Sequence, residues 1–136
     1  MKQILLSLTL LFALSACSKM DDNGDFGGTW QLTSWITKSD STVVATNADA
    51  IYYYVQGELM KTQKLGEEVF YLMTFRTTSD SLFIDQIYMS PFDSIVPPDS
   101  LARFGFTPSG SFRFDALSSK SMVLSNEENV LTFRKY

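Results

Sequence analysis

Cys17 is the only cysteine in a chain of 136 residues that contains no histidine. Without imidazole, the commonest general base, the commonest transition-metal ligand and the usual switch near neutral pH are all missing. A carboxylate or lysine constellation would have to replace them. Glu67-Glu68 and Glu127-Glu128 are adjacent carboxylates; in a strand such neighbours point to opposite faces, and in a turn they are solvated charges. Ser39, Ser41, Ser79 and Ser81 have no histidine to activate them. The lysines lie among polar or turn residues, not in apolar surroundings that would turn an amine into a base. Asp21, Asn23 and Asp25 copy the start of a calcium loop, but Phe26 stands where that loop needs glycine and Leu32 where it needs glutamate. The residues argue against an enzyme; no catalytic residue, cofactor or metal is expected.

What remains is the thiol. Lys2 precedes an apolar run from Ile4 to Leu14, which ends in Leu14-Ser15-Ala16-Cys17. A basic start, a short hydrophobic core and small residues before a cut site describe a secretory signal. A helical membrane span needs roughly 20 apolar residues, and this run is shorter. The Leu-Ser-Ala-Cys ending resembles the lipobox of bacterial lipoproteins. That resemblance implies cleavage before Cys17, diacylation of its thiol and acylation of the new amino terminus, so the membrane is the first expected partner. Residues 1–16 then form the signal peptide, and a lone cysteine leaves no internal disulfide.

Residues 17–136 carry 10 basic and 15 acidic side chains, because Lys2 is the only charge in the signal. The tightest basic pair is Arg134-Lys135. No basic stripe is present, so nucleic acid is excluded as a partner. Residues 17–27 are polar and glycine-containing and read as a flexible acidic tether. Lys19-Met20-Asp21-Asp22 resembles the surface-export signal of Bacteroidota lipoproteins. Localisation is therefore expected at the cell envelope, by lipid anchor, in the outer membrane.

Residues 28–136 alternate at period two, which predicts strands. Trp30, Leu32 and Ile36 share one side of the first. Ile51, Tyr53, Val55 and Leu59 share one side of the next, with Gly57 at a bend, bulge or turn. Val69 to Thr77 and Leu82 to Met89 flank a turn at Thr78-Ser79-Asp80. Phe112, Phe114 and Ala116 alternate, and two strands about a polar turn, Ser125 to Asn129, end the chain. All four prolines fall within residues 90–110, making that segment a long connection and lid, with a helical turn over Pro98 to Gly105. About eight short antiparallel strands favour an all-β, up-and-down barrel, with a two-sheet sandwich as the alternative.

Gly28-Thr29-Trp30, directly after the tether, resembles the Gly-x-Trp signature of lipocalins and their bacterial relatives. The closing Leu131-Thr132-Phe133-Arg134 strengthens that resemblance, and the whole chain is similar to small lipocalin-like lipoproteins of Bacteroidota. The resemblance implies that Trp30 plugs one end of the barrel and that Arg134 packs over its ring as a cation–π partner. The aromatic load on neighbouring strands suggests a cavity or groove for a small apolar or glycan ligand near the open end. Tyr53, Val55, Met73, Phe75 and Ile84 are the inward candidates for contact with it. The same aromatic load reads more readily as core filling, because a barrel of about eight strands needs large side chains inside. A solid barrel would make the chain an envelope interaction module, with an exposed patch of Tyr52, Tyr54, Phe83 and Ile87 facing a protein partner.

Overall fold

The computed structural model describes residues 23–91 and 94–136; Cys17, the signal peptide and the first part of the tether lie outside the described residues. Among the described residues ten strands follow one another: β1 Gly28–Thr37, β2 Val43–Thr46, β3 Ile51–Gln56, β4 Leu59–Lys64, β5 Phe70–Thr77, β6 Ser81–Ser90, β7 Ser94–Val96, β8 Ser111–Leu117, β9 Ser121–Ser125 and β10 Asn129–Lys135. Eight of them form a closed antiparallel ring in the order β1-β3-β4-β5-β6-β8-β9-β10, completed when β10 pairs back to β1. Closure leaves no edge within the ring. The barrel expectation holds and the sandwich falls.

The two extra strands have a common origin. The first half of β1 pairs with β3, through Gly28 to Gln31, and the second half pairs with β2, through Ser34 to Ile36. Likewise β6 pairs with β8 through its first residues and with β7 through Ile87 to Met89. Each is one long hairpin arm interrupted near the same end of the barrel. The 3-10 turn Asn47–Asp49 fills the first gap, and residues 97–110 fill the second. Residues 90–110 are thus not all connection, because Ser94–Val96 takes up pairing with β6.

Two bulges set the parity of the inner wall. Leu32 faces Phe133 while Ser34 faces Thr132, so Thr33 is an extra residue in β1. Beyond it Trp35 turns inward and is 8% exposed, and Ile36, expected inside, is half-exposed. Met73 faces Ile87 while Phe75 faces Ile84, which inserts a residue at Asp85-Gln86 of β6. Ile87 consequently joins the core at 2% exposure instead of an outer patch. A one-residue slip moves every later side chain to the other face.

The end where the chain enters is shut. Trp30 is fully buried and its indole N–H donates to the Phe26 carbonyl at 2.8 Å. Phe26, from the 3-10 turn Gly24–Phe26, meets Phe75 and Phe114 edge-on at 5.5 and 5.3 Å. Lys135, not Arg134, covers the indole, with its ammonium 4.4 Å from the ring centroid. The register explains this: Trp30 pairs with Lys135 and so shares its face, whereas Arg134 pairs with Gln31 and bonds its amide oxygen at 2.7 Å on the outside. The Lys135 ammonium also donates to the carbonyls of Asp25 and Gly27. Gly28, at φ +118°, makes room for it, since a Cβ there would stand 3.1 Å from Lys135 Cδ.

Candidate functional site

The opposite end of the barrel carries the lid, residues 97–110. Pro98 starts its 3-10 helix, Pro98–Phe104, with a preset φ, and Gly105 stops it at φ +91°. From Pro98 through Phe106 the sequence intersperses Leu101, Phe104 and Phe106 with charged and small residues, which gives the segment an apolar underside. All three are 3% exposed or less. Burying each apolar side chain contributes roughly 1.5–3 kcal/mol, enough to hold a short segment closed.

Polar contacts fix where the lid sits. The Tyr53 hydroxyl donates to the Phe104 carbonyl. The Gly105 carbonyl accepts amide N–H groups from both Asn126 and Asn129, at 2.8 and 2.9 Å. Asn129 is oriented in turn, because its Oδ1 accepts the Trp35 indole N–H at 2.8 Å. Asn126 Oδ1 accepts the backbone N–H of Glu128 and of Asn129. The β9–β10 turn, read from the sequence only as polar, is therefore a buried latch. Thr107 bonds the Glu127 carboxylate. Bonds from Glu127's own backbone N–H, Ser109 and Thr107 hold that carboxyl below the usual carboxylate range. Arg103 pairs with Glu67 at the rim, an exposed contact of little energetic weight.

Beneath the lid lie the inward candidates. Tyr53, Val55 and Met73 are buried in the core, and Phe75 and Ile84 pack against it from partly buried positions. They do not form one cluster at the lid. Tyr53 touches the lid through its ring, 5.8 Å from Phe106 and also 4.7 Å from Phe133 on β10, and Ile84 touches it through its backbone N–H, which donates to the Gly110 carbonyl at 2.8 Å. Phe75 sits instead at the shut end against Phe26. Burial pushes the Tyr53 hydroxyl well above its ordinary pKa, so it remains a protonated donor. Tyr71 adds an edge-on contact to Phe104 at 5.9 Å.

A groove of about 250 Å³ opens beside the lid. Its walls are Trp35, Val44 and Ile51 on the barrel side and Arg103 and Phe104 on the lid side. Val44 remains 46% exposed in its wall. Phe104 thus stands between the groove and the barrel interior.

On the outer wall, Tyr52 and Tyr54 stack at 6.1 Å and Tyr136 meets Tyr52 edge-on at 5.6 Å. The expected patch does not assemble: Tyr52 is 9% exposed, Ile87 is in the core, and Phe83 lies under the Arg76 guanidinium. Among the described residues no group of three or more histidine, cysteine, aspartate or glutamate side chains is placed to hold a metal ion.

A closed eight-stranded barrel with one plugged end and one lidded end defines the class of calyx-like barrels. The family model described as a lipocalin-like domain matches residues 11–136, and the chain belongs to that family. A lipocalin-like protein from Bacteroides uniformis shares its fold at TM-score 0.62 and 21% identity, over 83% of this chain and 100% of that one. A Bacteroides eggerthii protein does so at 0.59 and 22%, over 82% of this chain and 99% of that one. No curated protein matches the sequence at a significant level.

Proposed function

We propose that this chain is a lipid-anchored binding protein of the bacterial cell envelope, held in the outer membrane through Cys17. Its barrel takes a small apolar or glycan ligand at the lidded end. The carrying observation is the position of Phe104, which lines the outer groove and at the same time touches Tyr53 and Tyr71 on the inner wall. A ligand entering from the groove meets this side chain first. The polarity of the barrel supports the anchoring half of the reading. The chain enters at Gly28, and residue 23 already sits at that end, where Asn23 donates to the Gly57 carbonyl at 2.8 Å. In this reading Cys17, six residues further back in sequence, holds the barrel by the end opposite the lid. The lid then faces away from the membrane.

Two measurements test this. Mass spectrometry of Cys17 from native cells should find a diacylated, acyl-capped terminus, and Cys17→Ser should move the protein to the soluble fraction; an unmodified thiol ends the anchoring claim. Melting temperature across a lipid and glycan panel, with native mass spectrometry of the purified protein, should reveal a bound small molecule. No shift and no adduct would refute ligand binding. A second reading, a solid barrel that docks a protein, is favoured by a separate outer groove of about 310 Å³ lined by Tyr54, Leu59, Lys61 and Leu72. Crosslinking in intact cells would then recover a partner at Leu59, which is 49% exposed.

A further inference from the structure

Thr62, on β4, is fully buried, and its Oγ1 has no hydrogen-bond partner among the described residues. Its register partners are Tyr53 on β3 and Tyr71 on β5. Directly paired residues share a face, so three hydroxyl-bearing side chains form one row, with apolar Met60 on one side along β4 and Lys64 on the other, at the rim. A buried hydroxyl left unpaired is costly, and valine would fill the same space without that cost. Phe104 lies over this row, taking the Tyr53 hydroxyl on its carbonyl and the Tyr71 ring against its own.

We propose that the Tyr53–Thr62–Tyr71 row is the recognition point for a neutral apolar ligand with a single uncharged hydroxyl or carbonyl end, which takes the place of the Phe104 side chain. The inference rests on the binding-protein reading above and assigns its ligand class. Lid displacement frees the Tyr53 hydroxyl, so the incoming polar end meets it and the Thr62 hydroxyl on adjacent strands. Neutrality follows from the wall. Among the described residues no charged side chain belongs to the buried set. A carboxylate or ammonium moved beside these hydroxyls would lose its hydration without gaining an opposite charge. Lys64 and Arg103 stand at the groove mouth, which makes a carboxylate the informative competitor.

The test uses the full-length protein and three probes of equal length: 1-dodecanol, dodecanoate and dodecane. Binding is read by tryptophan fluorescence and melting temperature. Dodecanol should bind more tightly than dodecanoate. Thr62→Val should weaken dodecanol about 3–10-fold, the worth of one hydrogen bond, while leaving dodecane unchanged and the ligand-free melting temperature no lower. Unchanged dodecanol affinity in Thr62→Val, or tighter binding of dodecanoate, overturns the inference and leaves the binding reading intact. Failure of all three probes to bind either the wild type or a folded Phe104→Ala variant overturns both.

Discussion

Replacing Gly105 by alanine would separate two costs that meet at one residue of the lid. Gly105 sits at φ +91°, and a Cβ there would lie 2.8 Å from both Leu131 methyl groups and 3.3 Å from Cγ. Every staggered χ2 of Leu131 leaves at least one methyl in one of the two clashing positions. Leu131 is fully buried, so relief needs a change at χ1 or a shift of the lid. The left-handed backbone costs a non-glycine residue about 1–2 kcal/mol, and overpacking a filled core costs about 1–3 kcal/mol more. Gly66 is the control: its φ is also +91°, and among the described residues no heavy atom lies within 4 Å of a Cβ placed there. Gly66→Ala therefore carries the backbone cost alone. In urea denaturation at 25 °C followed by tryptophan fluorescence, Gly66→Ala should lose about 1–2 kcal/mol and Gly105→Ala about 2–5 kcal/mol. The gap corresponds to roughly 4 °C or more in melting temperature for a domain of this size. Equal losses in the two variants would show that the lid and Leu131 are not tightly packed, and the argument for a seated lid would fail.

Two further outcomes follow from the shut end and from the acidic turns. Lys135→Met removes two carbonyl contacts and a cation–π contact and should cost about 1–3 kcal/mol, whereas Arg134→Met should cost less than about 1 kcal/mol; the reverse order in denaturant melts would contradict the Trp30–Lys135 register. Asp40, Asp80 and Glu127 all have carboxyls held below their ordinary values, chiefly by the Thr37 hydroxyl, the Thr78 hydroxyl and Glu127's own backbone N–H respectively. A depressed folded pKa gives stability that is present above the unfolded value and lost as pH falls through the folded one. Melting temperature should therefore decline on acidification below about pH 4.5, and Thr107→Val with Ser109→Ala should shrink that decline; an acid limb unaltered by these changes would refute the role of Glu127.

Much of the fold was legible because alternation and proline are local signals. The barrel and a helical turn that starts at Pro98 and stops at Gly105 come from such signals, and the Gly-x-Trp end comes from the lipocalin resemblance. Parity was not legible beyond Thr33 or across Asp85-Gln86, since a bulge is set by pairing with a distant strand and carries no fixed composition. The choice of Arg134 over Lys135 failed for the same reason: one position decides the face, and only register fixes the position. β2 and β7, of four and three residues, are too short for periodicity to reveal. At the lidded end Tyr53 stood out as an apolar-side aromatic, but Thr62 lies in Lys-Thr-Gln-Lys and reads as surface. Asn126 and Asn129 read as turn residues. Their neighbours across space, Phe104 and Gly105, are more than 20 residues away in sequence for the asparagines and farther for Tyr53.

The β1–β10 seam also has a consequence for how the molecule is made. Gln31 pairs with Arg134 and Thr37 with Asn129, so ring closure joins the first strand to the last. Pairings of such sequence separation are slow to form, because loop closure must precede the contacts that reward it. Until β10 is available, β1 has one sealed side, supplied by β3 and β2, and its other side is an open strand edge prone to pair with another chain. A chain cut short by even its last seven residues would keep that edge, lose the Lys135 cover over Trp30 and be a candidate for aggregation. The final strand is thus the step that commits the chain to a closed barrel.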